Sequence, residues 1–284
     1  MADHATSRGL DPQGYIEREG SLARIPRVFR PVVASARDRL LELFGGRLHS
    51  AYLYGSIPRG TARAGRSDLD LLVALQEDPA DADRAGVRAL GEAVDKAFPQ
   101  IDGVGTLLYG RARLLSAAET YDMGWFVACM CTPLLGEDLA EYLPRYRPDS
   151  RLARETNGDL AQLLPGWRRS VAEAENPENS DEAADPAASE AARRRLVRFM
   201  SRHLVRTGFT LVMPRWNGWT SDLTEMAEAF GAYYPQRAEQ MRAAALRGRE
   251  PTADAAVLRS YVDDLGPWLA QEYARVHGVK SPRD

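Results

Sequence analysis

Two aspartates, Asp68 and Asp70, stand at alternate positions at the start of an apolar run, "SDLDLLVAL". In a β-strand, side chains two residues apart face the same side, so both carboxylates project together while Leu69 and Leu71 face the other side. Carboxylates placed this way repel each other and are costly to remove from water. A divalent cation removes that cost, and oxygen-only ligands suit Mg²⁺ or Mn²⁺. Because Mg²⁺ is usually held by one or two carboxylates together with substrate phosphates, the pair predicts a phosphate-bearing substrate.

The turn "YGSIPRG", which precedes the acid pair, offers groups that suit a phosphate. Gly55 has no side chain, so the backbone can approach an anion closely. Ser56 brings a hydroxyl, and the N–H groups after it can point at an anion. Arg59 and Arg66 lie in the same connection and can neutralise a triphosphate. The candidate nucleotide-binding residues are therefore Gly55, Ser56, Arg59, Arg66 and Ser67.

The pattern G-S-x-x-R-G followed by S-D-x-D-L resembles the nucleotidyltransferase superfamily that includes DNA polymerase beta, and within it the minimal and aminoglycoside-type enzymes. The motifs cover about residues 50–110. The resemblance implies that an acceptor hydroxyl attacks the α-phosphorus of a nucleoside triphosphate and releases pyrophosphate. It also implies two Mg²⁺ ions, with Asp68 and Asp70 as catalytic residues and ligands of both.

A third carboxylate from a neighbouring strand is also implied by the resemblance. Asp102, in "QIDGVGTLL", is the candidate for this catalytic and metal-binding position, since it begins the next predicted strand. Gly103 and Gly105 depart from the family pattern, because they interrupt the apolar run expected after this acid. Without a third acid, one metal site would be weak.

Helix and strand patterns alternate in the first half of the chain. Apolar spacing predicts helices at 28–46 and 81–98 and strands at 48–55, 67–75 and 101–110, while 117–136 is typical of a helix. This alternation indicates an α/β or α+β layer, and the fold that we expect here is a small mixed sheet with helices.

The second half is predicted to be helical, at 151–175, 188–213, 220–247 and 252–277. The expected fold class is therefore α+β, with a nucleotidyltransferase domain at 1–148 and an all-helical domain at 149–284. The resemblance implies that the helical domain binds the acceptor. An acidic segment near 173–189 is nearly free of large apolar residues, which is typical of a loop.

Composition and sequence pattern indicate the cellular compartment in which we expect the protein. The net charge of −3 gives no general attraction for nucleic acid. No stretch has the features of a signal peptide or a membrane helix, and the two cysteines are predicted to be buried and reduced. We therefore expect a cytoplasmic protein, monomer or homodimer, with no membrane partner. The scattered histidines have no metal-ligand spacing.

The expected function is Mg²⁺-dependent transfer of NMP, with AMP from ATP as the expected case, to a hydroxyl of a small molecule such as an aminoglycoside-like antibiotic. Three other functions stay open: a toxin-like enzyme that modifies tRNA or protein, a nucleotide cyclase, and a non-catalytic nucleotide-binding regulator. An arginine stripe at Arg194, Arg198 and Arg202 would serve an RNA acceptor. Candidates for the general base are Asp122, Glu225 and Glu228.

Overall fold

The structure is a computed structural model that describes residues 8–175 and 186–282. The chain divides into two compact units. We call Tyr15–Tyr146 the sheet unit, and the N-terminal residues up to Gly14 together with the chain from Arg147 the helical unit. The predicted role of the helical half in binding the acceptor stays a prediction.

A mixed four-stranded sheet lies in the described sheet unit, with the order β3-β2-β1-β4. The strand β2 runs parallel to β3, and β1 runs antiparallel to both β2 and β4. The strands are β1 Leu48–Tyr54, β2 Leu69–Leu75, β3 Val104–Gly110 and β4 Thr132–Gly136. Together with a mostly helical second unit, this sheet confirms the predicted α+β class.

Helices connect the strands of this unit. The parallel pair β2 and β3 needs a crossover, which α3 provides. Asp83 fixes the start of α3, because its carboxylate accepts a hydrogen bond from the N–H of Ala80 at 3.0 Å and pairs with Arg47. The helices are α1 Arg30–Phe44, α2 Ser56–Arg59, α3 Asp81–Ala97 and α4 Arg111–Leu114. Short 3₁₀ turns lie at Leu22–Arg24, Arg27–Phe29, Gly45–Arg47 and Leu139–Tyr142.

The sheet is covered on both faces, and β2 contributes to both cores. Leu69, Leu71 and Val73 belong to one buried cluster, with apolar residues of α1 and α3. Leu72 and Ala74 belong to a second cluster on the other face. A central strand buried on both faces tolerates polar side chains only near its ends. That restricts the acid pair to the beginning of β2.

The segment 117–136 differs from its prediction as a single helix. Two π-helical turns, Thr120–Gly124 and Phe126–Met130, are followed by the strand β4. The sequence pattern did not reveal β4, because a short apolar run of this kind is compatible with either a helix or a strand. Pro133 fits there because β4 lies at the edge of the sheet, where a missing N–H is tolerated.

The described part of the helical unit consists of helices joined by short connections. They are α5 Ser150–Asn157, α6 Leu160–Glu175, α7 Pro186–Trp216, α8 Leu223–Tyr233, α9 Ala238–Arg249, α10 Ala255–Ser260 and α11 Gly266–His277. A 3₁₀ turn, Pro235–Arg237, and a π-helical turn, Tyr261–Leu265, complete it. None of the helices within the described ranges is long and apolar enough to cross a membrane.

Predicted helices divide in the structure where the sequence has a breaker. The helix predicted at 151–175 divides around Gly158, and the one at 220–247 divides before Pro235. Tyr234 has left the helical region (φ −130°, ψ 66°), which is disfavoured for a residue that precedes proline. The acidic segment near 173–189 lies largely outside the described residues, and its described ends belong to α6 and α7.

Both cysteines are buried free thiols, as predicted. Burial raises the pKa of Cys129 to about 12, so this thiol stays protonated near neutral pH. His277 is also mostly buried, and its Nε2 lies 2.9 Å from the carbonyl oxygen of Leu211. The two cysteines and His277 therefore belong to the packed interior of the protein.

His203 lies on α7 in an apolar setting, with its ring 5.2 Å from that of Trp167. Burial lowers the pKa of His203 to about 4, although the nearby Asp159 carboxylate raises it; Arg206 and Lys280 lower it further. The imidazole is therefore neutral in the folded protein near neutral pH.

We expect His203 to make the protein less stable in mild acid. The imidazole has a pKa of about 6.5 when unfolded, so between roughly pH 6.5 and pH 4 the unfolded chain binds the additional proton. Between pH 7 and pH 5, wild type should lose about 2 kcal/mol more unfolding free energy than His203→Gln, as measured by urea denaturation. If the unfolding free energies of the two proteins changed equally with pH, the lowered pKa of His203 would be contradicted.

Candidate active site

Asp68 and Asp70 stand where the alternation predicted. Asp68 directly precedes β2, and Asp70 is its second residue. Leu69, which stands between the two aspartates, and Leu71, which follows Asp70, are both fully buried. Both aspartates are half-buried, so the strand anchors its leucines in the core and keeps the carboxylates accessible to solvent.

Gly55 brings the turn after β1 against the second aspartate. Tyr54, the last residue of β1, pairs with Asp70 across the sheet. Gly55 then adopts φ 79° and ψ −152°, which disfavour any residue with a side chain. A Cβ at this position would also collide with Oδ2 of Asp70. Only glycine therefore lets the backbone approach this carboxylate.

Ser56 is the first residue of α2 and is half-buried. The short helix is anchored by the buried Ile57 and Pro58, and the carbonyl of Pro58 accepts a hydrogen bond from Ser21 N–H at 2.9 Å. Gly60 ends the helix in the left-handed region, at φ 80°. The hydroxyl of Ser56 is thus carried on an anchored turn beside Gly55.

Arg59 has partners of its own in the structure. Its Nε donates to the carbonyl of Gly55 at 3.0 Å, and its Nη1 lies 3.6 Å from Oε2 of Glu19. The guanidinium therefore supports the Gly55 turn directly. Sequence reasoning missed Glu19, because no local pattern links it to a residue forty positions away. The predicted contact of Arg59 with a nucleotide stays a prediction.

The loop before β2 carries the remaining nucleotide-binding candidates. Arg66 is exposed there. Ser67 accepts a hydrogen bond on its hydroxyl from Arg63 N–H at 2.9 Å, and its carbonyl accepts one from Asp102 N–H at 3.1 Å. These bonds show that Ser67 shapes the loop, and its predicted contact with nucleotide stays a prediction.

Asp102 is exposed in the loop that leads into β3, not on the strand. Within residues 8–175 and 186–282, no three acidic, histidine or cysteine side chains form a group that could hold a metal ion. The structure therefore does not gather Asp102 with the acid pair. Its role as third ligand stays a prediction.

Glycines, rather than acids, face the pair from the β3 side. Gly105 pairs with Asp70 in the parallel ladder, and a Cβ there would lie 3.3 Å from Oδ1 of Asp70. A Cβ on Gly103 would lie 3.9 Å from Oδ1 of Asp68. Val104, between the two glycines, packs on the opposite core.

An aromatic pair borders the site on the β1 side, and sequence reasoning missed it. The rings of Tyr54 and Phe126 meet edge to face with centroids 5.0 Å apart. Tyr52, on the same face of β1, accepts a hydrogen bond from Leu139 N–H at 2.7 Å. Burial raises the pKa of Tyr52 to about 12, so this phenol stays protonated near neutral pH.

We expect Gly55→Ala to destabilise the sheet unit more than Gly65→Ala. Both glycines have positive φ, 79° and 69°, so both substitutions carry backbone strain of about 1–3 kcal/mol, and Gly55 lies in a region that is almost confined to glycine. Only at position 55 does the new Cβ meet another atom, whereas at Gly65 nothing lies within 4 Å. Urea denaturation would measure the difference, and Asp70→Ala should reduce the cost of Gly55→Ala. Equal costs at the two positions would contradict the packing described for Gly55.

A family model matches part of the sequence, and a solved structure has a similar fold. The family model of a nucleotidyltransferase domain matches residues 33–106, which include the Gly55 turn and the acid pair. Among solved structures, the chain is similar to spectinomycin adenyltransferase from Enterococcus faecialis, solved with ATP and spectinomycin. That likeness has a TM-score of 0.50 at 13% identity, and it covers 86% of this chain and 98% of that chain. No curated protein matches the sequence significantly. The family match confirms the resemblance seen in the motifs for residues 33–106, which form a nucleotidyltransferase domain, and the shared fold agrees with it.

Proposed function

We propose that the protein transfers AMP from ATP to a hydroxyl of a small molecule, with Mg²⁺ and with release of pyrophosphate. One observation carries the proposal: within the matched nucleotidyltransferase domain, the half-buried pair Asp68 and Asp70 lies beside a turn that only glycine can make.

The donor set of the acid pair fits Mg²⁺. Asp68 and Asp70 offer carboxylate oxygens only, which are the ligands that Mg²⁺ takes together with phosphate oxygens. A bound ion would neutralise charge on the triphosphate and stabilise the leaving pyrophosphate. The chain's own contribution is to hold both carboxylates in place, since the leucines on either side of Asp70 are fixed in the core.

Residues of the turn and loop bind the triphosphate in this proposal. Gly55 lets the backbone approach the phosphates, and the hydroxyl of Ser56 donates to one of them. Arg59 and Arg66 place positive charge against the polyphosphate, where arginine is always protonated. Positioning of the two substrates and charge neutralisation together supply most of the rate.

A small molecule is the acceptor that the observations favour. The similar solved structure is named a spectinomycin adenyltransferase and was solved with spectinomycin. The arginine stripe on α7, which would have served an RNA acceptor, is partly engaged in the fold. Arg194 donates to the carbonyl of Pro251 at 3.2 Å, and Arg202 donates to that of Gly248 at 3.0 Å. Binding of the acceptor by the helical unit is part of the proposal.

Pyrophosphate release tests the proposal directly. We expect release from ATP and Mg²⁺ when a panel of hydroxyl-bearing small molecules, aminoglycoside-like antibiotics among them, includes the acceptor. Each of the other three triphosphates serves as a comparison for base preference, and tRNA serves as a macromolecular acceptor. Tight nucleotide binding with no pyrophosphate release from any acceptor would contradict transfer.

Asp70→Asn should lower the rate of pyrophosphate release by at least about 100-fold, because it removes one of the two charges that hold the ion. Its melting temperature should be unchanged or higher, since the substitution relieves repulsion with Asp68. Asp95→Asn, an exposed carboxylate on α3, is the matched control and should keep the parent rate. Parent activity in Asp70→Asn would overturn the assignment of the acid pair.

A further inference from the structure

The two-ion arrangement expected from the sequence requires protein ligands for both ions. An ion chelated by the β- and γ-phosphates arrives with the nucleotide. An ion placed between the α-phosphate and the acceptor hydroxyl has fewer phosphate oxygens available, so it depends on carboxylates of the protein. The number of acids at the site therefore decides how many ions are held.

The strand beside the acid pair offers no such carboxylate. Its residue opposite Asp70 is Gly105, and a Cβ there would point to within 3.3 Å of Oδ1 of Asp70. Gly103 holds the equivalent place toward Asp68. The nearest acid in sequence, Asp102, is exposed in the preceding loop. No group of three potential ligands exists in the part of the chain that the structure describes.

We infer that the acid pair of this chain holds one divalent ion with the nucleotide, not two, and that Gly105 is the position where a second site lacks its ligand. The inference rests on the proposed function, because it requires that the chain binds a nucleoside triphosphate. It differs from the sequence expectation of two ions and of Asp102 as third ligand. A carboxylate at residue 105 would stand directly beside Asp70. The backbone there is not in the left-handed region, and the new Cβ would make a tight contact of 3.3 Å with Oδ1 of Asp70.

Counting Mn²⁺ ions on the intact chain tests this inference without relying on turnover. The chain is saturated with an ATP analogue that has a methylene between the α- and β-phosphates and so cannot transfer its nucleotide. Mn²⁺ is then titrated, and after ultrafiltration the ions held by the chain are counted as the excess of Mn²⁺ over the filtrate, which contains free Mn²⁺ and Mn²⁺ bound to free nucleotide. We expect one ion per chain in wild type and two in Gly105→Asp.

Two variants serve as controls. Gly105→Ala adds the Cβ without the carboxylate, and it should bind one ion, as wild type does. Asp102→Asn should also bind one ion, because the described structure does not group this carboxylate with the acid pair. Melting temperatures show whether each variant is folded.

The possible failures are distinguishable. Two ions in wild type that fall to one in Asp102→Asn would overturn the inference and make Asp102 the third ligand, with the proposed function intact. A single ion in folded Gly105→Asp would overturn the assignment of residue 105. Absence of any Mn²⁺ bound with the nucleotide analogue in wild type would overturn the proposed function and this inference with it.

Discussion

Repulsion between Asp68 and Asp70 is the constraint around which this part of the molecule is arranged. Two carboxylates on one side of a central strand destabilise the fold, and the cost grows as they are removed from water. The strand offsets that cost through Leu69 and Leu71, which are fully buried on the other side. Both acids stay half-buried at the beginning of β2, where solvent still reaches them. The same placement leaves them open to a cation and a polyphosphate.

A glycine lies against Asp70 on each side of β2. Gly55, after β1, has a conformation and a contact with Asp70 that exclude every side chain. Gly105, on β3, lies on the opposite side of the same carboxylate, where a Cβ would be 3.3 Å from Oδ1. The two glycines differ in what requires them. Backbone strain and a collision require the first, whereas at the second the backbone is not in the left-handed region and a Cβ would make only a tight contact. A glycine that the backbone does not require changes what the site can hold, and residue 105 is therefore informative about function.

The sequence predicted those features that depend on short-range periodicity. The alternation of acids and leucines in β2, the helix between β2 and β3, and the helical second half follow from patterns of two or of 3.6 residues. β4 was missed because Thr132–Gly136 is an edge strand within a longer apolar run, and its assignment depends on pairing with β1. Helix divisions at Gly158 and Pro235 follow ordinary breaker rules, but the exact ends depend on packing.

The geometry around the acid pair could not be predicted, because it depends on strand register. Asp102 was the nearest acid to the next strand, and the sequence alone does not say which residue stands opposite Asp70. The parallel ladder aligns Leu69 with Val104 and Asp70 with Gly105, so residues 103 and 105, not 102, face the acids. A shift of one residue would exchange the two faces of β3 and turn Val104 away from the core in which it packs. The packing of Val104 against this core thus places a glycine beside Asp70, and a hydrophobic contact on one face of the sheet determines which residue faces the acids on the other.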